Sequence, residues 1–120
     1  FAPFLIRNGY GRIINFSTLA VRLAIKGEAV YIASKAGVEA FSRSFAKELS
    51  SFNITVNCIA PGPVRTDLLK GVTDKQINSI VKQQVFDKVM TPKDIVEQVK
   101  LILSKEARHT TGEVFSVGGV

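Results

Sequence analysis

Tyr31 and Lys35 stand four residues apart in the stretch VYIASKAGVEAF, Val30 to Phe41. On a helix, residues at i and i+4 share a face with their Cβ atoms ~5–6 Å apart, so a phenol and an ammonium meet. A free tyrosine titrates near pH ~10, and acid–base work near neutrality asks for roughly 7, a difference of ~4 kcal/mol in favour of the phenolate. An ammonium at ~4 Å in an effective dielectric of ~20 is worth ~4 kcal/mol. The pair can therefore handle a proton. It can equally be a core aromatic beside a surface charge, because two tyrosines and ten lysines in 120 residues supply such a spacing by chance.

The elements that would position the pair are legible from periodicity. Glu28 to about Ser50 has no proline and is rich in Ala, Lys and Glu, which predicts one long helix. Val38, Phe41, Phe45 and Leu49 recur at helical spacing and are expected to form its core stripe. Ala33, Ala36, Gly37 and Ala40 make a second face of small residues that a neighbouring helix could approach closely. Glu39 and Arg43 read as an i,i+4 pair on the solvated side.

Arg12 to Phe16 (RIINF) and Ile54 to Ala60 (ITVNCIA) are short and apolar, as strands buried on both faces are. Leu19 to Gly27 reads as loop. Asn53 ends the long helix, and Pro61-Gly62-Pro63 stops the second strand. Thr73 with Gln76 forms a capping box for a short helix to about Gln83, with Ile77, Ile80 and Val81 inward. Thr91-Pro92-Lys93-Asp94 opens another helix with a hydroxyl N-cap, proline at N1 and a carboxylate at N3. Ile95, Val96, Val99, Ile102 and Leu103 should fill one side of it. EVFSVGGV then reads as a third strand. Apolar strands separated by helices predict an α/β fold with a parallel sheet.

Composition narrows the function classes. A hydrophobic content of 46% with 22% charged residues marks a globular chain with one compact domain. No apolar run reaches the ~18 residues of a membrane span, and Phe1 to Ile6 is too short for a signal peptide. The net charge is +6, but the sixteen Lys and Arg are scattered and no aromatics interleave with them. That is a solvated basic surface and not a nucleic-acid face. Cys58 is the single cysteine and reads as core filler in a reducing compartment. His109 reads as a surface residue with no second metal ligand near it. The triplets Asn15-Phe16-Ser17 and Asn53-Ile54-Thr55 touch strand-like segments and read as chance matches to a glycosylation signal.

Taken in order, GRIINFST, YIASKAGVEAFSRSFAKEL, ITVNCIAPGPVRTD and TTGEVFSVGG resemble the C-terminal half of the short-chain dehydrogenases/reductases, over nearly all 120 residues. The resemblance implies half of a doubly wound Rossmann-type parallel sheet and hydride transfer between NADP or NAD and a small-molecule carbonyl or alcohol. It implies Tyr31 as general acid/base and Lys35 as the lysine that lowers the tyrosine pKa and bonds the nicotinamide ribose. The hydroxyl that steadies the substrate oxygen lies thirteen residues before the tyrosine, at Thr18, with Ser17 as its substitute. Pro61, Gly62, Val64 and Thr66 correspond to the loop along the nicotinamide. Leu68 to Met90 corresponds to a substrate lid whose Leu68, Leu69, Ile77, Ile80, Val85 and Phe86 permit an apolar substrate. Gly118 replaces the acidic or amide residue usual before the last glycine.

The same resemblance implies a cytoplasmic homo-oligomer, a dimer or tetramer paired through the long helix. Neither the glycine-rich pyrophosphate turn nor the helix-four asparagine of the proton relay has a counterpart, since Gly9-x-Gly11 precedes a strand. Residues 1–120 are thus expected to be the catalytic half of a larger domain, with the nucleotide-binding half upstream. Two substrate branches fit: a 3-oxoacyl-(acyl-carrier-protein)-reductase-like enzyme and a general alcohol or sugar dehydrogenase. Gly9-Tyr10 and Ser51-Phe52, where carrier-protein reductases place basic residues, weigh against the former. The alternative in another class is a non-catalytic remnant serving as a binding or assembly module.

Overall fold

A computed structural model describes residues 1–66 and 71–120. Helix α1 (Ala2–Asn8) runs into strand β1 (Gly11–Phe16), then a short helix α2 (Ala20–Leu23) and the long helix α3 (Ala29–Leu49). A 3-10 turn at Ser50–Phe52 leads to β2 (Ile54–Pro61), followed by α4 (Asp74–Val81), α5 (Pro92–Leu103) and β3 (Val114–Val117). The three strands are parallel in the order β1-β2-β3. Gly11 pairs with Ile54 at one end of the β1–β2 ladder and Phe16 with Ile59 at the other. The α/β architecture is the one the alternation of apolar runs predicts.

The punctuation of the chain acts where it stands. Asn53 adopts φ 60, closing the turn after α3, a left-handed conformation that Asn tolerates better than most residues. Thr73 and Thr91 each accept a hydrogen bond from the N3 backbone, while Gln76 and Asp94 reach back to the cap residue. Each such cap is worth about 1 kcal/mol.

Strand β2 lies at the centre of the sheet, and its first seven residues are buried. Ala46 and Leu49 of α3 meet Ile54 and Val56 of β2, with Leu5, Ile6, Ile13 and Phe45 packed around them. Burial of one such aliphatic side chain contributes roughly 1.5–3 kcal/mol.

Four expectations change. Strand β1 is mostly half-buried and not buried on both faces in these 120 residues, and Phe16 at its end is 46% exposed. The segment 19–27 is not all loop: it holds α2, and Leu19 is among the most deeply buried residues. On α5, Ile102 is buried but Val96 and Leu103 remain exposed, because that helix is apolar over a wider arc than the sheet covers.

The fourth change concerns α3. Its buried residues are Glu39, Ser42, Ala46 and Leu49, while Phe41 stays exposed. The helix lies close on the sheet, so small or hydrogen-bonding side chains face it. Ser42 Oγ accepts from Asn15 Nδ2 at 2.8 Å and from Cys58 Sγ at 3.1 Å. Phe41 is turned aside and stacks on Phe45 at a ring separation of 5.1 Å. Cys58 is buried, as its neighbours predict, and burial pushes its thiol pKa above the usual 9.0.

Candidate active site

Parallel sheets offer their ligand crevice at the carboxyl ends of the strands. Here the ends of β1 and β2 are held together beyond the regular ladder. Ser17 N donates to Ile59 O at 2.8 Å and Leu19 N to Pro61 O at 3.0 Å. This brings Thr18 alongside the loop that follows β2. Between them lies a cleft of about 350 Å³ with mainly apolar walls, toward the lower end of the roughly 300–1,000 Å³ of small-molecule sites.

Of the residues singled out by sequence, Thr18, Tyr31, Pro61, Gly62, Val64 and Thr66 all line this one cleft. Tyr31 stands in the first turn of α3 and is 48% exposed, open to a reactant. Thr18 Oγ1 accepts from Ala20 N at 3.2 Å, an arrangement that starts α2 and fixes the hydroxyl's position. Its O–H remains able to donate, since that contact uses a lone pair. Val64 forms an isolated parallel bridge with Met90, and Arg65 N donates to Met90 O at 2.9 Å, so the loop from Pro61 onward is held from its far side.

Lys35 is one turn beyond Tyr31 and does not itself line the cleft. Its ammonium donates to Phe16 O at 3.1 Å, which ties α3 to the end of β1. Ser17 also touches the cleft, but its hydroxyl is occupied: Oγ donates to Glu39 Oε1 at 2.6 Å, and both residues are buried. The expected Glu39–Arg43 surface pair is therefore replaced by a Glu39–Ser17 hydrogen bond. The helical rotation that buries Ser42 and Ala46 carries Glu39 in with them.

Of the proposed lid, Leu68 and Leu69 lie outside the described residues. Ile77 and Ile80 contribute to the cleft wall, whereas Val85 and Phe86 are exposed. Two residues escaped the sequence reading. Leu19 and Gln84 are both buried beside the loop, and a Cβ on Gly62 would meet each of them. Gln84 Nε2 donates to Phe86 O at 3.0 Å and Lys88 O at 3.2 Å. A lone glutamine in a polar stretch gives no periodic signal. Leu19 had one, an apolar residue directly after the candidate hydroxyl. His109 is exposed, and no cluster of metal-type ligands occurs among the described residues. Nor is any described helix long and apolar enough to cross a membrane.

Known proteins similar to this chain place it in a family. The family model described as enoyl-(acyl carrier protein) reductase matches residues 1–119. A 3-oxoacyl-[acyl-carrier-protein] reductase FabG from Chlamydia muridarum is 37% identical over 115 residues, 96% of this chain and 46% of the relative. A short-chain type dehydrogenase/reductase from Picea abies is 37% identical over 119 residues, 98% of this chain and 44% of the relative. A 4-hydroxyisoleucine dehydrogenase solved in complex with NADH superposes with a TM-score of 0.87 at 32% identity, covering 98% of this chain and 50% of that one. The chain thus spans about half the length of the curated relatives it matches. With the family match spanning almost every residue and the parallel sheet in place, the chain belongs to the short-chain dehydrogenase/reductase family.

Proposed function

We propose that this chain is the catalytic half of an NAD(P)-dependent oxidoreductase that moves hydride between a nicotinamide cofactor and a carbonyl or alcohol substrate. The observation that carries it is the convergence of Thr18, Tyr31 and the Pro61–Thr66 loop on one mainly apolar cleft at the carboxyl ends of β1 and β2. The residues fit a nicotinamide: the cleft has room and apolar walls for a ring and a short substrate, and few polar groups converge on it. Pro61, Gly62, Val64 and Thr66 would hold the ring and its carboxamide, and Lys35 the ribose. When bound, the nicotinamide gives or accepts the hydride.

The chain's own residues manage the proton. The Thr18 hydroxyl donates a hydrogen bond to the substrate oxygen, opposing the charge that develops there. Tyr31 passes its phenolic proton to that oxygen in reduction and takes it back in oxidation. The Lys35 ammonium is anchored on Phe16 O and ties the helix that carries Tyr31 to the end of β1.

The carrier-protein branch gains weight from relatives named as 3-oxoacyl-[acyl-carrier-protein] reductases, against the basic residues missing at Gly9-Tyr10 and Ser51-Phe52. The exposed face of α3 with Phe41 and the small residue Gly37 supports homo-oligomers, dimers or tetramers. The free, buried Cys58 supports a cytoplasmic setting.

The test is the full natural polypeptide carrying this sequence, assayed with NADPH and NADH against a 3-oxoacyl thioester and a simple ketone. Tyr31→Phe should lower turnover by roughly 10²–10⁴-fold with NAD(P)H affinity nearly intact. Full rate in that variant sinks the reading. No NAD(P)H binding at all would favour a non-catalytic module.

A further inference from the structure

Lys35 and Glu39 stand one turn apart on α3, and each holds the end of β1. Lys35 Nζ donates to the carbonyl of Phe16 at 3.1 Å, and Glu39 Oε1 accepts from the hydroxyl of Ser17 at 2.6 Å. Consecutive residues of the strand exit are thus gripped by side chains at i and i+4 of the helix that carries Tyr31. The next residue in the chain is Thr18.

Resting on the function proposed above, we propose that Glu39 and Ser17 are a positioning pair, which sets where the Thr18 hydroxyl stands relative to Tyr31. Four observations carry this. Ser17 is 4% exposed and Glu39 9%, so the bond between them is shielded from water. Burying an ionisable side chain is unfavourable unless it is hydrogen-bonded, and an aliphatic residue would fill the same place on the helix without that cost. The hydroxyl of Ser17, committed to Glu39, is not also a donor to substrate. Finally, the backbone of Ser17 is anchored on its other side, N–H to Ile59 O at 2.8 Å, so the residue is clamped between α3 and β2. With Ser17 held on both sides, Thr18 inherits a defined direction into the cleft. Lys35 alone grips only a backbone carbonyl two residues away.

The experiment uses the full natural chain with Ser17→Ala, Glu39→Leu, Glu39→Gln and the double variant Ser17→Ala/Glu39→Leu. Turnover is read separately from KM for NAD(P)H, and the Thr18 methyl resonance is read by NMR in threonine-labelled protein without substrate. Ser17→Ala and Glu39→Leu should each lower kcat by ~10–100-fold, the scale of a small misplacement of reacting groups, with KM for NAD(P)H unchanged. The double variant should lose no more than the worse single, as coupled residues do. Glu39→Gln, which keeps the acceptor oxygen, should recover most of the rate. The Thr18 methyl should shift in Glu39→Leu and Ser17→Ala, and stay near its native position in Glu39→Gln. A folded Glu39→Leu protein with native kcat, or losses that multiply in the double variant, overturns the proposal. An unmoved Thr18 methyl overturns it whether or not the protein reduces carbonyls, which separates its failure from that of the proposed activity.

Discussion

The side-chain amide of Gln84 rests against the Cα of Gly62. A methyl group built on Gly62 would collide with Gln84 Oε1 and crowd Leu19, and one on Gly118 would meet Gln84 Nε2 at 3.1 Å. Gln84 thus joins the loop after β2, the loop after β3 and the segment following α4. Its Nε2 is committed to the carbonyls of Phe86 and Lys88, so the amide cannot easily swing away. The glycine of the Pro61-Gly62-Pro63 turn is required by this contact and not by an unusual φ, since Gly62 is not among the positive-φ glycines.

Gly62→Ala should therefore destabilise the protein by roughly 1–3 kcal/mol, the usual range for overpacking a filled site. Adding Gln84→Ala should return part of that loss. Denaturant midpoints of the two single variants and the double variant check this. Additive losses would show that the two positions do not touch in solution.

Thr18→Ala and Thr18→Ser should separate the hydroxyl from the methyl. Loss of a positioned hydrogen-bond donor costs roughly 10²–10³-fold in kcat, so Thr18→Ala should be nearly inactive. Thr18→Ser keeps the hydroxyl and should retain most of the rate. Because Thr18 Oγ1 also accepts from Ala20 N, Thr18→Ala should in addition lower stability. Steady-state kinetics beside thermal unfolding reads both effects.

Asp94 should make the α5 cap sensitive to acid. The N–H and hydroxyl of Thr91 hold its carboxyl below its ordinary value of 3.8. A depressed folded pKa contributes stability above the unfolded value, and that contribution is lost as pH falls through the folded one. Stability should thus decline below pH 3.8, and Asp94→Asn should remove that part of the decline. Unfolding midpoints at a series of acidic pH values test it, and identical slopes for both proteins would refute it.

Cys58 should resist thiol reagents in the native state. Its side chain is 1% exposed, and burial, its largest perturbation, raises its pKa above 9.0 against the opposing hydrogen bond with Ser42. A raised folded pKa leaves stability intact below the unfolded value, and the contribution is lost as pH rises through the folded one. Labelling at neutral pH should occur only with unfolding, and stability should fall above pH 9.0. Rapid labelling of folded protein would contradict the packing.

The sequence by itself determined the main strands and helices and several of their ends, though not α2. Asn53, the Thr73–Gln76 and Thr91–Asp94 boxes and the Pro61-Gly62-Pro63 stop are local devices whose chemistry needs no distant partner. It also pointed to Thr18, Tyr31 and the loop residues, through the family resemblance that the joined motifs carry. Tertiary structure alone decided which face of α3 turned inward. Of the apolar stripe Val38, Phe41, Phe45 and Leu49, Leu49 is buried and Phe45 packs against the core, but Phe41 is exposed while Glu39, Ser42 and Ala46 are buried. The sheet side offers Ser17 as partner to Glu39, and Asn15 and Cys58 as partners to Ser42. Hydrophobic periodicity measures one helix against water, whereas the depth of a helix on a sheet and the partners waiting there belong to residues tens of positions away. For the same reason the Glu39–Ser17 bond, across 22 residues, and the Gln84–Gly62 contact exist only once the chain has folded.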